Sequence, residues 1–560
     1  MLEKEIKEIC ECLEDKKRFF CIDGDESTFF YDSYTQSLYG ISKKCLALLK
    51  SNFSINSESY SNLEIEDYTK ILNFISTVHK NKKDQIIELQ PDVKCTVMIN
   101  TSNRCNLNCN YCYRNKAKQD INSLETVKNT IEYAMKRYKP EASEFVFSYS
   151  MTSESSVDLP LLKSIANEYI NYENYQFYED DIVDELKVEF FNRLRDDFQR
   201  SLSDRIALPE TENEIIDFLN SLLEIRNLFD VLKATERMFN DDAKWQIQKR
   251  ESCTKWKLYR INRWCLEVIY DKYLKKRHVP YVTFWFMTNG TSVDKEYIDF
   301  VKACDINPLW VSIDGPKDVH DYNRKFGNNI GSYDEIVKNI NIFKQNNINL
   351  KGSAVLTAHF PKPFLIIRHL LSLGFKEVAM TPVRPGYECS FNEENIWDLC
   401  DGYDEIYEAL EDGCLRNDFS LFKVLREDLT LSAFNIFISR TKLMKRCSFD
   451  DQIVVNAKGE NYPCLYFTDN KEFCLGNIKE GLERRKLNHN ILVNQRSRCS
   501  ECWARYLCGG TCFYGSMIST GNYIDIDKVE CILKKHLAEN CLKLIVFMKE
   551  HNISISQIYN

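Results

Sequence analysis

Three cysteines stand at C-x3-C-x2-C spacing in Cys105-Asn-Leu-Asn-Cys109-Asn-Tyr111-Cys112. Thiolates so close in the chain converge on one centre. A closed structural zinc site or an ordinary iron–sulfur cluster takes four ligands, so three leave a coordination position open, as a catalytic metal needs. For this motif alone the competing reading is a zinc site with a remote fourth ligand. A second field lies near the C-terminus: Cys447, then Gly459-Glu-Asn-Tyr-Pro-Cys464, then Cys499-x2-Cys502-x5-Cys508-x3-Cys512, then Cys531. A zinc ribbon explains one C-x2-C pair but not this array beside the first motif.

Composition sets the context for those thiols. The chain has 560 residues and 23 cysteines, with a net charge of -9. It is too long to need a disulfide framework. Its start, MLEKEIKEICECLED, is acidic and lacks the basic and apolar stretches of a signal peptide. No apolar run has the length of a membrane span. These features predict a cytoplasmic, reducing location with no membrane partner, where clustered cysteines bind metal or do catalysis. The acidic balance argues against non-specific nucleic-acid binding.

The elements that must position the cysteines follow from periodicity. Residues 97–100, 144–148, 281–287, 309–313, 349–356 and 376–380 read as strands. Helical patterns over 123–138, 294–303, 333–345 and 362–373 alternate with them, which predicts parallel β/α units. A stretch without strand signals, 171–275, reads as a helical insertion, equally a structural cap or a substrate lid. Residues 1–90 read as a small α/β unit. Within it, 18–22 and 28–31 form a hairpin, a third run follows at 37–39, and Ser42 caps a helix through Lys50; a second helix lies in 65–80. Residues 391–446 form a helical bridge into the cysteine-rich region at 447–541.

The first motif, on a loop after the first strand of an α/β barrel, resembles the radical S-adenosylmethionine (SAM) superfamily. Met287-Thr288-Asn289-Gly290 and Val311-Ser312-Ile313-Asp314-Gly315-Pro316, followed by His320-Asp321 and Arg324, are similar to segments of its peptide- and protein-modifying branch. The resemblance implies a partial (β/α)6 TIM-like barrel. It implies a [4Fe–4S] cluster on Cys105, Cys109 and Cys112 whose open iron binds SAM, which is cleaved to a 5′-deoxyadenosyl radical. It assigns SAM contacts to Tyr111, Ser153, Glu154, Ser312 and Arg324. One departure is clear: where the family has Gly-Gly-Glu-Pro, this chain has Thr152-Ser153-Glu154-Ser155. Glu154 is kept, but both glycines, which permit close backbone approach, are replaced.

The second field resembles the SPASM domain, which carries auxiliary [4Fe–4S] clusters. By that resemblance Cys499, Cys502, Cys508 and Cys531 ligate an outer cluster, and Cys447, Cys464 and Cys512 an inner one. The inner cluster's fourth position falls to Cys474 or stays open for a substrate thiolate. The N-terminal unit is similar to the winged-helix-like element with which peptide maturases bind a leader peptide by strand addition. Sulfatase maturases of this branch carry an Asp after the cysteine matching Cys464, where this chain has Leu465. The implied function is a peptide maturase that acts on a ribosomally made precursor peptide with a leader and draws electrons from a reductant such as flavodoxin or ferredoxin. The preferred product is a Cys thioether. Carbon–carbon cross-linking and epimerisation come next, and then sulfatase maturation. A zinc-holding scaffold and a leader-binding adaptor without catalysis are the readings outside this class. An anaerobic preparation is expected to be brown, with iron and sulfide each near twelve per chain, four for each of three clusters; a colourless, zinc-rich preparation would exclude the radical reading.

Overall fold

The computed structural model describes residues 14–51, 93–113, 120–138, 142–149, 153–165 and 281–559, apart from 305, 307, 448, 450–451, 469 and 481–490. The expected helix in 65–80, the 171–275 insertion and Thr152 lie outside the described residues.

Six strands form the parallel core: β4 (Val93–Ile99), β5 (Ala142–Tyr149), β6 (Tyr281–Thr288), β7 (Leu309–Ser312), β8 (Leu350–Leu356) and β9 (Glu377–Pro382). Each pairs in parallel with the next in sequence order. Sequential parallel pairing needs a crossover between neighbours. Helices α2 (Leu124–Tyr138), α3 (Lys295–Ala303), α5 (Tyr333–Gln345) and α6 (Pro363–Ser372) supply four of them; α1 (Lys43–Ser51) precedes the sheet and α4 (Lys317–Asn323) follows β7. Alternate residues face opposite ways, as a pleat requires. Leu309 and Val311 are fully buried in the main apolar core, while Trp310 and Ser312 between them are half-buried. Two glycines of the motif segments sit in the left-handed region, Gly290 at φ 72° and Gly315 at φ 126°. A Cβ on either would come within 3.0 Å of a core side chain, Val311 or Ile366. Both turns therefore need glycine to leave the strand ends tightly packed.

The sheet continues beyond the expected six strands. From the C-terminal region, β10 (Ile453–Val455) adds in parallel to the free edge of β4, opposite Val97–Ile99. Two short strands, β11 (Glu460–Tyr462) and β12 (Gly476–Asn477), extend it antiparallel. The cysteine-rich region is thus hydrogen-bonded to the strand whose end carries the first motif. The helices that follow β9 include α7 (Ile396–Leu415), α8 (Ser432–Ile438) and the long α9 (Lys528–Glu550).

The N-terminal unit forms a separate antiparallel sheet, β1 (Phe19–Asp23), β2 (Ser27–Asp32) and β3 (Ser37–Ser42), followed by α1. Ser42 Oγ accepts the Cys45 amide at 3.1 Å, the expected cap. Arg18 and Asp32, both buried, form a bidentate pair at 2.8 and 2.7 Å. Asp32→Ala would strand the Arg18 charge, at a cost of about 3–5 kcal/mol. Hydrogen exchange should then show β1 and β2 exchanging fast while β7 and β8 stay protected.

Candidate active site: a cysteine loop held by three carboxylates

The loop Thr101–Cys112 leaves the end of β4 and is fixed on three sides. On the first side stands Asp158, a residue no sequence signal singled out. It is 1% exposed. Its carboxylate accepts from the hydroxyls of Thr101 (2.7 Å), Ser102 (2.8 and 2.9 Å) and Ser153 (2.6 Å), and pairs with Arg104 at 3.3 Å. Ser153, one of the residues standing in for the missing glycines, is therefore bound into the loop's support.

On the second side Glu154 occupies a buried position and its amide donates to the Arg104 carbonyl at 2.9 Å. Its Oε1 accepts from Thr288 Oγ1 at 2.6 Å and its Oε2 from the Asn289 amide at 2.6 Å. Burial raises its pKa, and those hydrogen bonds, with two more from Ser156, oppose the rise. The Thr-Asn-Gly segment passes this support on. Asn289 Nδ2 donates to Asn106 Oδ1 at 2.9 Å and to Cys105 Sγ at 3.6 Å. The Leu107 amide also points at Cys105 Sγ, at 3.5 Å. Two N–H donors thus face one sulfur.

On the third side Asp314, fully buried, accepts from the Tyr111 hydroxyl and from the Val355 amide at 3.0 Å, and forms an ion pair with Arg324 Nε at 3.1 Å. The Arg324 guanidinium lies 5.5 Å from the Tyr111 ring centre. The backbone around Arg324 clamps the loop directly: the Asn108 amide bonds Lys325 O at 2.6 Å, and the Asn110 amide bonds Asn323 O at 3.0 Å. His320 is buried behind this clamp. Its Nδ1 accepts the Asp314 amide at 3.2 Å, and its Nε2 shares a 2.9 Å hydrogen bond with Ser332. Burial lowers its pKa to about 4. It is a neutral bracket with both nitrogens engaged, not a free base.

Cys105, Cys109 and Cys112 are neighbours on this loop. Burial pushes the Cys109 thiol up to about 11; nearby Arg324 opposes this, and Cys112 and Cys105 add to it. Among the described residues no three His, Cys, Asp or Glu side chains enclose a single metal ion. A four-iron cluster is larger than one ion and sets its thiolates farther apart. Three thiols on one loop, with N–H groups aimed at sulfur, suit such a cluster. Tyr111 and Arg324 lie beside these thiols, and Ser312 ends β7 opposite Ser353.

The C-terminal cysteines sort into two groups of neighbours. Burial raises Cys464 to about 12 and Cys447 to about 11, and both feel Cys512. Burial likewise raises Cys499 to about 12 and Cys531 to about 11, with Cys502 and Cys508 around them. Cys447, Cys464 and Cys512 line a cavity of about 480 Å³ that reaches Met98 of β4 and Trp310 of β7. Cys474 is not part of that lining; its thiol points at the Gly476 carbonyl, 3.6 Å away. Two supports escaped sequence reading. Arg496 is buried and donates to the Thr511 carbonyl (2.8 Å), Thr511 Oγ1 (3.2 Å), Ser516 Oγ (3.1 Å) and the Ile524 carbonyl (2.9 Å), bracing the turn between Cys508 and Cys512. Glu530 accepts the Cys512 amide at 2.8 Å and pairs with Lys534 at 2.5 Å.

No protein-family model matches the chain. Among curated proteins, a cysteine-type anaerobic sulfatase-maturating enzyme of Clostridium perfringens is 26% identical over 244 residues, 40% of this chain. The match spans 63% of that relative's length. Among solved structures, native anSMEcpe with bound AdoMet and a Kp18Cys peptide superposes with a TM-score of 0.51 at 15% identity, covering 82% of this chain and 99% of that one. Streptococcus suis SuiB bound to S-adenosylmethionine aligns over 92% of this chain and 98% of its own, at 11% identity and a TM-score of 0.40, too low to bear on the fold. The anSMEcpe likeness gives the fold, and within it the cysteine loop stands at the end of β4.

Two outcomes follow from the clamps. Asp158→Ala leaves three hydroxyls and Arg104 without their acceptor and should cost about 2–4 kcal/mol, read as a lowered denaturant midpoint. His320 takes up a proton near pH 6.5 when unfolded but only near pH 4 when folded, so the unfolded state binds more protons between those values. Stability is therefore complete above about pH 6.5 and is lost as pH falls toward 4. His320→Gln should flatten that part of the stability–pH curve.

Proposed function

We propose that this chain is a radical SAM peptide maturase whose C-terminal region is of SPASM type. The observation that carries the reading is the sorting of seven C-terminal cysteines into two neighbour groups. One group shares a cavity with Met98 of β4, the strand that leads into the first motif, and with Trp310 of β7. In this reading Cys105, Cys109 and Cys112 hold the SAM-binding cluster. Cys499, Cys502, Cys508 and Cys531 hold an outer auxiliary cluster, and Cys447, Cys464 and Cys512 an inner one. When bound, the first cluster and SAM supply a 5′-deoxyadenosyl radical that takes hydrogen from an unactivated carbon.

The chain's own residues orient and enclose. Asp314 fixes the Arg324 guanidinium, whose planar fork suits the SAM carboxylate. Tyr111 and Ser312 complete that side. Glu154 and Ser153 act through the loop they hold, since both Glu154 oxygens already accept from protein donors. The cavity beside the inner cysteines seats a segment of a precursor peptide, and Tyr466 and Arg384 line it. The leader of that peptide binds the N-terminal unit, and a flavodoxin or ferredoxin supplies electrons.

A Cys thioether is the preferred product, because the inner group offers three thiol ligands at the cavity and Cys474 stands outside it. The solved structure this chain resembles carries a Kp18Cys peptide, which favours peptide substrates. Sulfatase maturation is the second reading, favoured by the curated relative. Against it, Leu465 stands where that branch has its Asp, and it is buried among apolar side chains. Under strong reductant the purified chain should cleave SAM to 5′-deoxyadenosine, and replacing Cys105, Cys109 and Cys112 by Ala should abolish this. Mass spectrometry of the treated peptide then separates products. After disulfide reduction, loss of two hydrogens with one free thiol fewer means a thioether; the same loss with thiols intact means a carbon–carbon bond and overturns the preference.

A further inference from the structure

The segment between two of the outer cysteines does more than connect them. Cys502-Trp503-Ala504-Arg505-Tyr506-Leu507-Cys508 presents Trp503 and Arg505, both buried, to the N-terminal sheet. Phe20 of β1 stacks on Trp503 with ring centres 4.0 Å apart and planes 17° from parallel. Tyr31 of β2 meets the same indole edge-on at 6.1 Å. Arg505 Nη1 donates to the Lys17 carbonyl at 2.7 Å and to the Cys502 carbonyl at 2.8 Å, so one guanidinium nitrogen joins the start of β1 to a cysteine of the outer group. A cavity of about 890 Å³ is walled by Phe19, Phe20 and Cys21 on one side and by the four outer cysteines on the other.

We infer that β1 is a wall of the outer cysteine site, and that docking of the N-terminal sheet and occupancy of that site stabilise one another. The inference rests on the assignment of an outer cluster to Cys499, Cys502, Cys508 and Cys531. Its physical basis is reciprocity. A cluster that fixes Cys502 and Cys508 fixes the Trp503–Arg505 plate between them, and a fixed plate holds β1. The factor by which an occupied cluster favours the docked sheet is then the factor by which the docked sheet favours cluster retention. A leader peptide that binds the docked sheet more tightly than the undocked one would act on the outer site without reaching it.

Two variants approach the linkage from its two ends. Cys531 lies on α9, outside the plate, so Cys531→Ser perturbs the cluster and leaves the docking surface intact. In that variant, with its iron loss confirmed by analysis, amide exchange in β1 and β2 should rise at least about fivefold. Phe20→Ala should lower iron toward about eight per chain, and Phe20→Tyr, which keeps the stacked ring, should restore it toward twelve. Unchanged exchange in iron-depleted Cys531→Ser overturns the linkage. So does full iron retention in Phe20→Ala, or iron loss in Phe20→Tyr equal to that in Phe20→Ala. An unmodified chain that takes up only four irons removes the auxiliary clusters themselves, a failure of the underlying assignment that is read before either variant is made.

Discussion

Everything proposed for this protein depends on one constraint: a loop carrying three thiols must be held still at the end of a strand. Loops do not hold themselves. Here Asp158, Glu154 and Asp314, all buried, reach the loop from the ends of β5 and β7 and tie it to its neighbours. Buried carboxylates are costly unless fully hydrogen-bonded. Each of these accepts several donors, so the desolvation is offset and the geometry is fixed. Removing one acceptor leaves a set of donors unmatched, which is why the supports act together rather than as independent contacts.

The same economy of position explains the C-terminal region. β10 pairs with the edge of β4, so the strand that delivers the first cysteines also registers the second field against it. Arg496, Lys534 and Glu530 then order the backbone between Cys508 and Cys531 by satisfying carbonyls and amides that a turn-rich region would leave bare. The cavity at the inner cysteines lies where these two systems meet.

Much of this was legible in the sequence, and for identifiable reasons. Cysteine spacing is local, so both fields stand out in the sequence directly. The parallel strands read as apolar runs, and α3 and α5 ended within a residue or so of their expected limits. What escaped was non-local. Asp158 meets Thr101 and Ser102 across more than fifty positions, and in its own neighbourhood, Ser-Ser-Val-Asp-Leu-Pro, it is an ordinary helix-start residue. The three-residue β10 is too short to announce a partner as distant in sequence as β4. Glu154 was recognisable from its motif, but not that its oxygens would be taken by Thr288 and Asn289. His320 was recognisable from its motif, but not the burial and the two hydrogen bonds that make it a bracket.

The central claim is that Cys105, Cys109 and Cys112 hold a cluster with one iron left open for SAM. Electron paramagnetic resonance of the anaerobically reconstituted, dithionite-reduced chain tests it most directly, in a variant with the seven C-terminal cysteines replaced so that only the first cluster contributes. Adding SAM should shift the g-values of that signal, because the ligand changes the coordination of one iron. A signal of unchanged shape at saturating SAM would contradict the account.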